Sequence, residues 1–330
     1  MTAMPANLTP EYEKAEQRLR EATSDEAKLE ALQEMLSTIP KHKGTEKMQA
    51  DIKRRISQLR KAAARRPAAR GPDPFHVPKG GAGQVALAGA PNVGKSSLLA
   101  AVTNAPVKVG EYPYTTALPT PGMWGYEDVQ IQLVDTPPLT GEHVPAGLMG
   151  TLRAADVIAV VIDASAGALE QADALLGLFA ERGLTLVTRP RSELDPSDRG
   201  RMGGLIVANK IDASDGRANA AALEELYRGR LEVLGVSATA GEGLDRLARR
   251  LWELLAVIRI YTKEPGQDAD MDKPYILPVG SGVEDLARAI HRDLPEMMKY
   301  ARLWGHGRFD GQRAHRNQVL HDRDVVEIHQ

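Results

Sequence analysis

The sequence predicts an α/β protein built on a doubly wound, mostly parallel sheet, preceded by a helical region and followed by a smaller α+β domain. Three observations carry that prediction. Five short apolar runs, at 84–88, 129–134, 157–162, 204–208 and 232–236, alternate with helical stretches in the pattern of βαβ units. Polar clusters stand at the carboxyl ends of these runs, where ligands sit in such sheets. The flanks follow other periodicities, helical before residue 66 and short and β-rich after residue 257.

A chain of 330 residues can hold two or three domains with a sizeable core. The net charge of −2 gives no global commitment to a polyanion, and the absence of cysteine excludes disulfides and thiolate chemistry. Met1–Lys14 has no apolar core of signal-peptide length, and no run approaches a membrane span. A cytoplasmic location and no membrane partner are expected.

Residues 1–70 are expected to be a basic helical region. Thr9-Pro10-Glu11 has the form of an N-cap followed by proline in the first turn. Leu29, Leu32, Met35 and Leu36, then Met48, Ile52, Ile56 and Leu59, recur at helical spacing. The break at Ile39–Gly44 predicts two helices joined by a basic loop. Eleven Lys and Arg residues between Lys41 and Arg70 face only Glu46 and Asp51. They form either a solvated helix face or a phosphate footprint on RNA. Residues 71–83, rich in Pro and Gly, are expected to be a linker or irregular loop before a sheet domain at 84–256.

The first strand leads into Gly89-Ala-Pro-Asn-Val-Gly-Lys-Ser96, the phosphate-binding P-loop pattern in its strand-then-helix context. Such a loop turns backbone N–H groups inward as an anion nest, and the following helix adds its positive end. Lys95 is expected to reach the β- and γ-phosphates and Ser96 to bind Mg²⁺. The expected nucleotide contacts here are Gly89, Asn92, Val93, Gly94, Lys95, Ser96 and Ser97.

The second run ends in Asp135-Thr136-Pro137-Pro138. A carboxylate there is either a water-mediated Mg²⁺ partner or a helix N-cap. Tyr112-Pro113-Tyr114-Thr115-Thr116 lies where a switch loop would, with Thr116 favoured over Thr115 as a further Mg²⁺ ligand. The fourth run ends in Asn209-Lys210-Ile211-Asp212, the specificity signal. The Asp212 carboxylate can accept both N1–H and N2–H₂ of guanine, a pair that adenine does not offer. Asn209 is expected to brace the loops, and the Lys210 stem to lie over the base. Ser237 and Ala238 follow the fifth run, where a backbone N–H can meet guanine O6. The cofactors expected are GTP or GDP with Mg²⁺.

After Val257, Arg259–Thr262 and Tyr275–Leu277 are expected strands, and Val283–Leu294 a helix with Leu286, Ile290 and Leu294 on one face. Val319–Ile328 is expected to be a closing strand pair around Arg323-Asp324. Together they make a small α+β domain at 257–330.

The ordered set GAPNVGKS, YPYTT, DTPP, NKID and SAT resembles the Obg-related GTPases, and most nearly the developmentally regulated GTP-binding (DRG) family. The basic turn at Ile39–Lys47, Pro119–Met123, and Ile258–Gln267 at the entry to the last domain are similar too. The resemblance implies a C-terminal TGS domain of β-grasp fold, GTP hydrolysis, Mg²⁺, and association with ribosomes or RNA. Whether an accessory protein is a further partner stays open. Asn92 matches an asparagine that holds K⁺ in related GTPases; its other reading is a solvent-facing loop residue. Lys95, Thr116 and Asn92 are thus the candidate catalytic residues.

Two departures stand out. The family carries an extra domain before the guanine motif, whereas here only 26 residues, Arg182–Val207, precede it, with polar Arg189–Gly204 as a remnant. The family's third motif ends in glycine, whose N–H senses the γ-phosphate; here Pro138 has none to give. Leu139 stands where many GTPases carry a water-orienting glutamine. Slow turnover is expected, or else a GTP/GDP-binding module with negligible hydrolysis. A metabolic P-loop kinase is disfavoured by the guanine motif.

Overall fold

Strand β1 (Gln84–Ala88) has no exposed residue, so helices must cover it on both faces. The computed structural model describes residues 10–22, 25–39, 45–65, 73–103, 118–141, 144–195, 197–198, 200–306 and 309–330. It divides into two units, Met1–Pro72 and Asp73–Gln330.

In the second unit, β1 lies parallel to β3 (Val129–Asp135) and to β4 (Val157–Asp163), and β4 to β6 (Arg201–Asn209). β2 (Thr120–Tyr126) closes one edge antiparallel to β3. The other side of β6 is shared by two short parallel strands in tandem, β5 (Thr185–Val187) and β7 (Val233–Gly235). Helices α5 (Leu148–Ala154), α6 (Ala168–Glu181) and α7 (Gly216–Tyr227) cover one face through Leu148, Leu152, Phe179 and Tyr227. Helices α4 (Lys95–Val102) and α8 (Leu244–Leu255) cover the other through Leu98, Leu99, Leu247 and Leu251.

The five apolar runs are all strands; β2 and β5 are additional. β2 contains Pro121, Gly122 and Gly125, which hide a strand pattern yet are tolerated at an edge. The remnant expected at Arg189–Gly204 is only partly irregular: residues 201–204 already belong to β6, where Gly203 and Gly204 are buried. Residues 73–83 form a fastened strap. Gly81 bridges Ile131, Thr151 Oγ1 donates to the Phe75 carbonyl at 2.6 Å, and Gln132 Nε2 donates to that of Pro78 at 3.1 Å.

Among the described residues the first unit holds three helices where two were expected: α1 (Pro10–Glu21), α2 (Asp25–Thr38) and α3 (Glu46–Arg65). Thr23-Ser24, residue types that favour helix starts, stand between the first two. Tyr12, Ala15, Leu32, Met35, Ile52 and Ile56 form its core. Lys53, Arg54 and Arg55 are exposed, and the last two pair with Asp51. Thr9 and the basic turn at Pro40–Gly44 lie outside the described residues.

The C-terminal sheet has the order β11 (Gln312–Ala314), β10 (Tyr300–Trp304), β12 (Asp324–His329), β8 (Val257–Lys263), β9 (Ala269–Pro278). Val283, Leu286 and Ala287 of α9 (Val283–Ile290) belong to its core. The expected helix to Leu294 ends at Ile290, and a short α10 (Leu294–Met297) follows with proline in its first turn. The expected strand pair at 319–328 is corrected as well. Only β12 is a strand, parallel to β8 and antiparallel to β10, and Val319 makes an isolated bridge to Gly282.

Arg259 of β8 joins the two sheets. It is 3% exposed and meets Asp128 at 2.7 Å, Asp322 at 2.5 Å and Glu127, with its guanidinium 4.9 Å from the Trp252 ring centre. Glu127 and Asp128 form the turn between β2 and β3. Hydrogen bonding from Arg259 holds the Glu127 carboxyl below its usual range. Burial opposes ionisation of Asp128 and Asp322, but hydrogen bonds from Tyr261 and Arg259 to the former, and from Arg259 to the latter, outweigh it. Arg259→Ala is expected to lower stability by about 2–3 kcal/mol, the partly exposed carboxylates keeping the loss below that of a fully buried pair. The measurement is the denaturant midpoint at unchanged slope. The carboxylates' pKa values are lower folded than unfolded, so their contribution is complete above the unfolded values. It is lost as pH falls below about 4, a dependence the variant should largely lack.

Candidate guanine-nucleotide site

The motif residues converge at the carboxyl ends of β1, β3, β6 and β7. Gly89 is packed so closely that an added Cβ would lie 2.5 Å from the Val161 carbonyl oxygen and 2.9 Å from Val93 Cγ2. Asn92 and Gly94 take positive φ, 62° and 93°, which wraps the loop before α4. Lys95 is buried, and its Nζ donates to the carbonyls of Gly89 at 3.0 Å and Ala90 at 2.9 Å. Burial lowers its pKa to about 8, against the opposing pull of Asp135. Triphosphate oxygens arriving here would restore the ammonium's preference for charge.

Ser96 Oγ donates to Asp135 Oδ2 at 2.5 Å. A hydroxyl and a carboxylate from facing elements form a hard oxygen pair that fits Mg²⁺ chemically. Thr136 does not point to the same place: its hydroxyl donates to the Leu87 carbonyl at 2.7 Å. Leu139 is buried in the core, and its N–H donates to the Gly89 carbonyl at 3.0 Å. Pro138 is buried beside it. Tyr112–Thr116, with the favoured ligand Thr116, lies outside the described residues.

Asn209 links three segments. Its Nδ2 donates to the Val93 carbonyl at 3.0 Å, and its Oδ1 accepts from the Ala238 N–H at 3.1 Å. A base oxygen approaching Ala238 would therefore share that N–H with Asn209. Ser237 is buried, and its Oγ accepts from the Ala240 N–H at 2.9 Å, which shapes the same turn. Lys210, at φ 67°, donates from Nζ to the Asn92 carbonyl at 2.9 Å and to Asp163. Asp212 is exposed on the next turn, while Asn92 and Ser97 flank the loop on its outer and helical sides.

Asp163 is the residue that motif reading missed. It ends β4 opposite Asn209 and accepts both N–H and Oγ–H of Ser165. Burial opposes its ionisation, but the Lys210 and Ser165 hydrogen bonds hold it below the usual carboxylate range. The signal available in the sequence was an aspartate closing an apolar run, the same signal that marked Asp135. A cavity of about 860 Å³, lined by Arg189, Arg246 and Arg249 among others, opens elsewhere, at the junction of β5 and β7. None of the nucleotide motif residues lines it.

Comparison with known proteins agrees with this geometry. The family model described as 50S ribosome-binding GTPase matches residues 84–188, and that of the TGS domain matches residues 258–330. Over 92% of its length the chain is 28% identical to an uncharacterized GTP-binding protein of Halobacterium salinarum, spanning 98% of that protein. The alignment runs to 364 positions, so that relative carries segments this 330-residue chain lacks. The chain is 27% identical to Developmentally-regulated G-protein 1 of Arabidopsis thaliana, over 91% of this chain and 90% of that one. The solved YchF GTPase of Schizosaccharomyces pombe shares the fold, with a TM-score of 0.55 at 13% identity, over 77% of this chain and 99% of that one.

The protein is therefore a P-loop GTPase joined to a TGS domain, which makes it a guanine-nucleotide-binding protein and, in the general sense, a GTP hydrolase. Developmentally regulated GTP-binding proteins recur among its relatives from plants to mouse, at 26–28% identity over 77–91% of this chain, and the chain is similar to that DRG family. Gly89→Ala tests the loop. Its Cβ would meet a backbone carbonyl of β4, so guanine-nucleotide affinity is expected to fall at least tenfold, measured by fluorescent GDP binding.

Proposed function

We propose that this chain is a slow regulatory GTPase of the cytoplasm whose nucleotide state controls docking on the ribosome or RNA. The supporting observation is the Asn209 bridge, which ties the P-loop to the turn at Ser237-Ala238 and sets the guanine-reading loop between them. In this reading Gly89 and Asn92–Ser97 cradle the phosphates, and Asn209, Lys210, Asp212, Ser237 and Ala238 surround the base. Ser96 and Asp135, with Thr116 or Thr115, hold Mg²⁺. When bound, Mg²⁺ supplies charge neutralisation at the β- and γ-phosphates. Asp163 keeps Lys210 extended across the base pocket. The proposed domains are the helical region at 1–70, the linker at 71–83, the GTPase domain at 84–256 and the TGS domain at 257–330.

Asp212→Asn tests the base assignment. Asparagine cannot accept from both guanine donors as the carboxylate does, so GTP affinity is expected to fall about 100-fold or more, as two charged hydrogen bonds are lost. Xanthosine triphosphate, which presents an acceptor at that edge, should bind the variant better than GTP does. Equal GTP affinity in both proteins would remove Asp212 from the base site.

Slow hydrolysis is proposed from two groups. Pro138 has no N–H to offer the γ-phosphate, and Leu139, buried in the core, cannot orient water. Pro138→Gly is expected to raise both the GTP/GDP affinity ratio and the single-turnover rate; no change in either would end this account. Asn92, exposed at the loop's outer turn, is the proposed K⁺ ligand. GTP hydrolysis should run faster in potassium than in sodium buffer at equal ionic strength, and Asn92→Ala should abolish the difference.

Pro138 and Leu139 equally favour a second reading, a GTP/GDP-binding module with negligible hydrolysis. Single-turnover assays with and without ribosomes separate the two. The proposed partner contacts are the exposed basic face of α3 and the arginine-lined cavity, where Arg189, Arg246 and Arg249 have no carboxylate partner among the described residues. A protein partner that docks on the relatives' additional segments would find no counterpart here.

A further inference from the structure

Outside the nucleotide site, the TGS domain gathers two histidines on one buried carboxylate. Asp324 opens β12 and is fully buried. Its Oδ1 accepts from the His306 N–H at 2.8 Å and its Oδ2 from the His321 N–H at 2.8 Å. His306 Nδ1 lies 3.0 Å from Oδ1, and His321 Nδ1 lies 3.9 Å from Oδ2. The two rings stack, with centres 5.0 Å apart and planes at 26°. One ligand atom from each residue falls within 4.8 Å of the others.

Buried carboxylates are paired with a cation or coordinate a metal. Among the described residues no arginine or lysine pairs with Asp324. The neighbouring charges are committed elsewhere, Asp322 to Arg259 and Arg323 to Glu127. Gly305 maintains the approach: at φ 118° an added Cβ would sit 2.5 Å from Asp324 Oδ1. The histidines come from the turn after β10 and the loop before β12, so one ion would join separate segments of the sheet.

We propose that His306, His321 and Asp324 form a site for a first-row transition dication of the Zn²⁺ class. Tetrahedral zinc with ligands near 2.0–2.1 Å places neighbouring ligand atoms about 3.4 Å apart. One ligand atom from each residue already lies within 4.8 Å of the others, and both rings are more than half exposed and able to close on that spacing. Imidazole nitrogen selects zinc, cobalt or nickel over magnesium. Three protein ligands leave a coordination position for water, so the site would exchange its ion.

The test uses the full chain, stripped with chelator, then loaded with GDP and excess Mg²⁺ to cover the oxygen ligands of the nucleotide site. Calorimetric titration with Zn²⁺ is expected to show one equivalent, and Co²⁺ a visible d–d spectrum. His306→Ala and His321→Ala, at exposed positions, should keep GDP binding but weaken Zn²⁺ at least 10- to 100-fold, the range lost when even an outer-shell partner is removed. Zn²⁺ should raise the melting temperature of the parent chain and not of either variant. Equal Zn²⁺ stoichiometry and affinity in all three proteins would overturn the site, as would no binding to the parent. Asp324→Asn is the weaker probe because burial ties that residue to folding.

Discussion

The nucleotide end of the sheet depends on the Asn209 side-chain amide. It spends a donor on the P-loop and an acceptor on the turn at Ala238, so loops from β1, β6 and β7 share one hub. The hub tolerates little bulk: a Cβ on Gly94 would lie 2.3 Å from Asn209 Nδ2. The glycine before Lys95 is therefore needed for its left-handed backbone and also for the amide it faces. Lys210, one residue on, repeats the logic with charge, its ammonium held between the Asn92 carbonyl and Asp163. Two successive residues of one motif thus bind adjacent P-loop carbonyls, those of Val93 and Asn92, while Asp212 remains exposed.

A second constraint runs along β3. Its last residue, Asp135, meets Ser96 of the P-loop helix, and the turn preceding its first residue meets Arg259 of the TGS sheet. The strand is seven residues long and paired on both sides. It forms a short mechanical connection between the phosphate site and the C-terminal domain. Buried ionic clusters are costly to desolvate and stabilise less than their number suggests. Arg259 meets three carboxylates and the Trp252 face at once, so the cluster ties the β2–β3 turn and α8 of the first sheet's domain to the C-terminal sheet.

The parts legible in sequence were those whose physics is local. A parallel strand buried on both faces reads as an unbroken apolar run, as β4 and the centre of β6 do, whereas β3 carries Gln130 and Gln132 between its apolar residues. Polar residues at their ends stand out in the same way; Asp163 closes an apolar run as Asp135 does but has no motif around it, and pairing sets it opposite Asn209. β2 was missed because edge pairing tolerates the prolines and glycines that mark loops elsewhere. The C-terminal ending was misread for a related reason. Arg323, at φ 70°, imitates a hairpin tip, but its N–H donates to the Arg259 carbonyl, and the strand that follows pairs with a partner some sixty residues earlier. Long-range parallel pairing leaves no mark in the residues next to it.

The segment after Asp135 is fastened to the P-loop and to the core. A switch must have two arrangements of similar free energy, and a γ-phosphate must favour one of them. Here Thr136 is anchored to the β1 carbonyl of Leu87, Leu139 donates its N–H to Gly89, and the Leu139 side chain belongs to the same buried core as Ala86, Leu148 and Leu152. Moving the segment would break both hydrogen bonds and expose a buried leucine, the latter alone opposed by about 2 kcal/mol. Pro138 removes the N–H with which a γ-phosphate could offset that loss. The contacts that hold this segment against the P-loop are therefore the ones that a switch here would have to break.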